Sequence, residues 1–71
     1  MNQSELQKLS LYLNRVFKTE GLAVKARPKK DDSAEVYMGD EFIGVIYKDD
    51  EEDDELSYNF SMAILDYDLG G

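Results

Sequence analysis

The densest group of side chains that can ligate a cation is an acidic run from Asp49 to Glu55, seven of the sixteen acids in the chain. Carboxylate oxygens are the ligands that calcium prefers. The run lacks the ligand spacing, the glycine and the closing glutamate of an EF-hand, and adjacent carboxylates in a loop chelate weakly. We therefore expect no metal site. We interpret the run as a solvated, mobile loop, or as a feature that attracts a basic partner.

A basic cluster is the second group with possible chemistry. Its members are Lys25, Arg27, Lys29 and Lys30. On a strand, Lys25 and Arg27 point to the same side, where they would lie beside Tyr37 and Phe42. Cations beside aromatic rings on an open sheet hold single-stranded nucleic acid. Because the net charge is −8 and an acidic chain repels phosphate backbones, we keep single-stranded nucleic-acid binding as the alternative hypothesis.

Catalytic residue types are sparse. The chain has neither cysteine nor histidine, so thiolate nucleophiles and the commonest general base are missing. Asp66 and Asp68 would share a strand face, and Asp40 and Glu41 lie beside a turn, but nothing in the sequence marks either pair as buried. The stretch GDEFIG, residues 39–44, lacks the Lys and Ser/Thr of a phosphate-binding loop. We predict no enzyme, no catalytic residue and no cofactor.

The element that must position these residues is a hairpin from Ala34 to Tyr47. Gly39 and Asp40 form a two-residue loop, and Gly39 can adopt the positive φ of a type II′ turn. With Met38 opposite Glu41, unbroken pairing puts one set of side chains on the helix side and another on the open side. The predicted helix-side set is Ala34, Val36, Met38, Ile43, Val45 and Tyr47. The predicted open-side set is Glu35, Tyr37, Phe42, Gly44 and Ile46.

An amphipathic helix is predicted from Ser4 to Thr19, with Ser4 and Gln7 as a capping box and Gly21 as the left-handed residue that ends it. Its apolar stripe is Leu6, Leu9, Leu13, Val16 and Phe17.

Two further strands follow from alternating apolar residues, from Leu22 to Arg27 and from Leu56 to Ile64. We predict a loop from Lys29 to Ser33 and a frayed carboxy-terminal tail. After Ile64 the apolar phase changes, so that strand either bends or ends near residues 63–65.

These elements predict one small α+β domain across residues 1–71, in the order α-β-β-β-β, with the amino-terminal helix on a four-stranded antiparallel meander. Seventy-one residues lie near the lower size at which one core suffices. The chain has no secretory signal pattern and no apolar run long enough to span a membrane, so we expect a cytoplasmic protein.

Two stretches resemble a known family of small alphaproteobacterial proteins classed as a domain of unknown function. They are PKKDDSAEVYMGDEFIGVIY before the acidic loop and LSYNFSMAILDYDL after it, and within them KKDDSAEVY, GDEFIGV and YNFSMAILD carry the resemblance. The resemblance implies a bacterial, cytoplasmic setting. It implies no activity and assigns no role to any residue.

The remaining hypothesis is protein interaction, as a non-catalytic binding module or a homodimer. One route is the open face of the sheet, with Tyr37, Phe42 and Ile46 beside Lys25 and Arg27. The other is the unpaired edge of the strand that begins at Leu56, because that strand carries fewer charges than the edge at Lys25 and Arg27.

Overall fold

The structure is a computed structural model that describes residues 1–50 and 55–70. One helix precedes four strands, which form a single antiparallel sheet in the order β1-β2-β3-β4. This arrangement confirms the α+β meander. The elements are α1 (Gln3–Val16), β1 (Leu22–Arg27), β2 (Lys30–Met38), β3 (Glu41–Asp49), β4 (Ser57–Ser61) and a 3₁₀ turn at Asp66–Leu69.

Helix α1 begins earlier than the sequence pattern predicts. Asn2, not Ser4, is the N-cap: its side chain accepts a hydrogen bond from the Glu5 N–H at 2.8 Å, and its own N–H donates to Glu5 Oε1 at 3.1 Å. The predicted capping box of Ser4 and Gln7 is therefore wrong. An asparagine caps a helix at least as well as a serine, so the two candidate boxes compete and the one that starts at Asn2 forms.

The helix also ends earlier than predicted, at Val16 rather than Thr19. Phe17 is the C-cap, and the next residue, Lys18, has the left-handed conformation with φ 55°. Because Lys18 already reverses the chain, Gly21 has no positive φ, and its predicted role is wrong. The Thr19 N–H then donates to the Asn14 carbonyl at 3.0 Å and closes the end of the helix.

The hairpin turn lies where the sequence predicts it, but the pairing of β2 with β3 differs from the prediction away from the turn. Gly39 has φ 61°, and Met38 pairs with Glu41 and Tyr37 with Phe42, as expected. The next pair is Val36 with Gly44, so Ile43 is an extra residue, a β-bulge. Beyond a bulge the side chains exchange faces. The predicted inward positions of Val45 and Tyr47 are therefore wrong, and Gly44 and Ile46 are buried instead.

Strand lengths differ from the prediction in two places. The segment Lys29–Ser33 is not a loop, since β2 starts at Lys30, which pairs with Arg27. Strand β4 ends at Ser61 rather than Ile64. Asp49 belongs to β3, while residues 51–54 of the acidic run, and with them most of the predicted loop, lie outside the described residues, as does residue 71 of the predicted tail.

The hydrophobic core joins α1 to the first three strands. Its buried members are Leu6, Leu13, Leu22, Val24, Ala34, Val36 and Ile46. Among the described residues, α1 runs closest to β1. The helix therefore covers the β1 half of its side of the sheet and leaves the β4 half open. No helix in the described part of the chain has the length and apolar character needed to cross a membrane.

Candidate functional site

The predicted cationic and aromatic cluster exists on the open face of the sheet, on the side away from α1. Lys25 Nζ lies 4.6 Å from the centroid of the Tyr37 ring, and Tyr37 meets Phe42 edge to face with centroids 5.7 Å apart. The Tyr37 hydroxyl donates to Glu35 Oε1 at 3.0 Å, and this hydrogen bond raises the pKa of Tyr37. The Tyr37 ring is therefore already in contact with the Lys25 ammonium and with the Phe42 ring. Phe42 is 51% exposed and is the free ring of the cluster.

Two residues predicted for this surface lie elsewhere. Ile46 is only 2% exposed and belongs to the core on the helix side, because the bulge at Ile43 turns it inward. Arg27 donates from its guanidinium to Ser33 Oγ at 3.1 Å and is half-buried at the far end of β1. The structure thus brings Lys25, Tyr37 and Phe42 together without Arg27 and Ile46.

The carboxy-terminal segment only partly approaches the open face. Leu65 and Asp68 line a shallow depression together with Phe42. Tyr67 is 86% exposed, so it does not cover the aromatic pair. The open face therefore remains accessible at Phe42.

The opposite side of the sheet carries a larger apolar feature, which we call the β4 groove. It is an open groove of about 620 Å³ between α1 and the β4 half of the sheet. Its lining residues are Glu5, Lys8, Leu9, Tyr12, Leu13, Ile46, Leu56, Tyr58 and Phe60. Tyr12 and Leu56 are about half exposed, at 53% and 48%. A second apolar hollow, of about 220 Å³, continues past Phe60 to Met62 and Phe17.

Glu5 forms the polar end of the β4 groove and ties three elements together. Its Oε2 accepts a hydrogen bond from the Tyr58 hydroxyl at 2.7 Å and pairs with Lys48 Nζ at 2.8 Å. Its Oε1 accepts from the Asn2 N–H. One carboxylate therefore caps α1 and holds it to β3 and β4.

These contacts set the ionisation of the group. The hydrogen bonds from Lys48, Tyr58 and the Asn2 backbone stabilise the carboxylate and lower the pKa of Glu5 to about 2. The same carboxylate raises the pKa of Lys48 and of Tyr58. Glu5 is therefore ionised at neutral pH, and its carboxylate joins α1 to β3 and β4.

The outer edge of β4 is the third feature of the site. In the order β1-β2-β3-β4, this strand pairs with β3 on one side only. Within the described residues, no backbone hydrogen bond joins its outer edge to another segment. Its sequence, SYNFS, has no charged residue, whereas the β1 edge carries Lys25 and Arg27. The β4 edge is therefore the less protected edge of the sheet.

Gly44 lets the Phe60 side chain approach the backbone of β3 closely beside the groove. A Cβ at this position would come within 2.6 Å of Phe60 Cε1 and 2.6 Å of the Ser61 carbonyl oxygen. The sequence interpretation missed this role of Gly44, although a glycine inside a strand is a known signal for a bulge or a close approach. It also missed Glu5 and Asn14, which hold α1 to the sheet.

The comparison with known families adds one finding to this geometry. The model of the family described as "Protein of unknown function (DUF3126)" matches residues 5–68. The chain belongs to the DUF3126 family. No curated protein and no solved structure matches it.

Membership of DUF3126 bears out the resemblance to a family classed as a domain of unknown function. It supplies no activity, so any role of the site has to be argued from the residues described above. The match includes Glu5, the β4 groove and the β4 edge. In the parts of this DUF3126 chain that the structure describes, no three acidic, histidine or cysteine side chains converge on a position where they could hold a metal ion.

Proposed function

We propose that this DUF3126 protein is a non-catalytic protein-interaction module, acting in the cytoplasm, the setting that the sequence resemblance implies. One observation carries the proposal: among the described residues, the outer edge of β4 is unpaired and has no charged residue, and it borders the apolar β4 groove. Edge strands take up a further strand through main-chain hydrogen bonds, and an adjacent apolar surface receives its alternate side chains. The β4 edge, rather than the open face, is the binding surface.

Exposed apolar side chains beside β4 support the need for a partner. Leu56 directly precedes the strand, and Met62 and Ile64 follow it; these side chains are 48%, 47% and 62% exposed. Large apolar side chains exposed close to one another mark interaction surfaces.

The nucleic-acid alternative has weaker support. The Lys25, Tyr37 and Phe42 cluster offers one free ring, and Glu35 lies within it. A strand of nucleic acid needs several stacking positions along a positive path. Arg27 is engaged with Ser33, and the net charge of −8 opposes a phosphate backbone.

Site-specific photocrosslinking tests the proposal. Asn59, at the middle of the β4 edge, is replaced by a photoreactive benzophenone amino acid. The variant is expressed in the organism from which the gene comes, and the living cells are irradiated. The matched control carries the same group in place of Lys29, an exposed residue in the β1–β2 turn. We expect a covalent protein adduct from position 59 and none from position 29.

Mass spectrometry of the adduct identifies the partner chain and the crosslinked segment. An absence of adducts at position 59, with the variant folded, contradicts the proposal. Adducts from both positions in equal yield also contradict it, because such labelling is not specific to the β4 edge.

A further inference from the structure

The geometry points to a defined partner chemistry for the β4 edge. Resting on the proposed interaction function, we propose that β4 binds an extended protein segment that has alternating apolar residues at its centre and basic residues at both ends. This segment adds to the sheet as a fifth strand beside Ser57–Ser61, with its apolar side chains in the β4 groove.

The alternation follows from the two faces of β4. Tyr58 and Phe60 are half-buried and line the groove on the helix side. Ser57, Asn59 and Ser61 are exposed on the other side. Neighbouring strands place opposite residues on the same face of a sheet. An added strand therefore presents every second side chain to the groove and the others to a polar, uncharged row, a pattern such as Val-Thr-Val-Thr-Val.

The basic ends follow from the charges that flank β4. Asp50 and Glu55 lie at the end where the strand begins, and at its other end Asp68 lines the open-face depression together with Ser61. No acid interrupts the strand itself. On the helix side, Lys8 lines the groove and Arg15 lies over the Tyr12 ring at 5.4 Å, while the negative charge of Glu5 is paired with Lys48. The complementary segment is therefore basic at its ends and uncharged at its centre.

A second copy of this chain fits these charges poorly. Antiparallel pairing of two β4 strands places the beginning of one strand beside the end of the other. The acidic start of each strand, with Asp50 and Glu55, would then lie at the end of its partner strand, near the partner copy's Asp68, between two chains that each carry a charge of −8. Like charges across an interface oppose association. The charges therefore favour a basic segment over self-pairing.

Synthetic peptides test each feature of this chemistry. The probe is fluorescently labelled KKVTVTVKK, titrated with the full-length protein and followed by fluorescence anisotropy at low salt. Three control peptides each remove one feature: EEVTVTVEE reverses the ends, KKSTSTSKK removes the apolar side chains, and KKVTPTVKK removes a central N–H. We expect saturable binding of the probe and at least about tenfold weaker binding of each control. The affinity of the wild-type protein for KKVTVTVKK should also fall as salt is added.

Matched variants of the protein locate the binding site. Tyr12→Ser with Leu56→Ser removes two half-exposed side chains from the groove, and we expect at least about fivefold weaker binding of the probe. Leu11→Ser with Tyr67→Ser removes the same residue types from exposed positions outside the groove, and the affinity should stay within about twofold. Should the groove double variant unfold, single Tyr12→Ser and Leu11→Ser variants on the same helix make the same comparison.

The outcomes separate this inference from the function it rests on. Specific adducts at position 59 together with failure of the probe to bind would overturn the basic-segment chemistry and leave the interaction function standing. An adduct between position 59 and a second copy of the chain would also overturn the basic-segment chemistry and leave the interaction function standing. Failure of both experiments overturns the proposed function itself. Equal binding of KKVTVTVKK and EEVTVTVEE would also refute the inference.

Discussion

Glu5→Gln should destabilise the protein at neutral pH and lose this effect in acid. The carboxylate of Glu5 accepts three hydrogen bonds, from Asn2, Tyr58 and Lys48, and its side chain is 17% exposed. Glutamine can still cap the helix, since the capping box accepts either residue. What the substitution removes is the negative charge that strengthens the contacts with β3 and β4.

The magnitude follows from the pKa of the group. In the folded protein the pKa of Glu5 is lowered from 4.5 to about 2. Each pKa unit corresponds to about 1.4 kcal/mol, which sets an upper limit of about 3.4 kcal/mol. After allowance for solvent screening and for the hydrogen bonds that glutamine retains, we expect a loss of about 1–2 kcal/mol at pH 7. For a domain of this size, that lowers the melting temperature by roughly 5–15 °C.

The pH dependence has a definite sign. Because the folded pKa lies below the unfolded one, the stabilisation is complete above about pH 4.5 and is lost as the pH falls from there towards 2. Urea unfolding of the wild type and of Glu5→Gln between pH 2.5 and 7 should give free energies of unfolding that converge in acid. Glu20→Gln, at an exposed position, should change the free energy by less than about 0.5 kcal/mol. A difference for Glu5→Gln that does not change with pH would refute this reasoning.

Three further predictions concern the sheet, the helix and the nucleic-acid alternative. Gly44→Ala should lose about 1–3 kcal/mol of unfolding free energy in urea, because its Cβ would meet the Ser61 backbone at 2.6 Å. At Gly39 a side chain meets no atom, so Gly39→Asn should lose only about 1 kcal/mol, from the strain of the positive φ alone. Asn14→Ala should lose about 1–3 kcal/mol in thermal unfolding, because the Asn14 amide exchanges two 2.9 Å hydrogen bonds with the Leu22 backbone; a loss below about 0.5 kcal/mol would contradict this. Labelled poly-uridine should not bind the wild type measurably at low salt, and salt-dependent binding that Lys25→Glu with Arg27→Glu abolishes would favour the nucleic-acid hypothesis.

The sequence predicts the helix and the strands better than it predicts which face of the sheet each side chain occupies. The alternation in Leu22–Arg27 gives β1 with its observed bounds, and Gly39 gives the hairpin turn. These signals are local, so few alternatives compete with them. The register beyond Tyr37 depends on one extra residue, Ile43, and that residue moves Ile46 from the predicted open surface into the core. A period-2 pattern cannot reveal such a shift, because Val45, Ile46 and Tyr47 are all apolar.

The candidate site depended on tertiary information that no local pattern holds. The β4 groove exists because α1 lies towards β1, and nothing in the apolar stripe of a helix specifies which half of a sheet it covers. The Glu5 contacts join residues 53 positions apart in the case of Tyr58. By contrast, the prediction that β4 is the less protected edge needed only the strand order and the distribution of charge, and both could be inferred from the sequence.

An intermolecular nuclear Overhauser experiment tests the central claim most directly. Isotope-labelled protein is mixed with unlabelled KKVTVTVKK, and contacts between the protein and the peptide are recorded. Our account predicts contacts from the backbone protons of Ser57–Ser61 and from the Tyr12 and Phe60 rings to the valine methyl groups. Contacts at Leu22–Arg27 or at Phe42 instead would contradict the account, because they would place the partner on the other edge or on the open face.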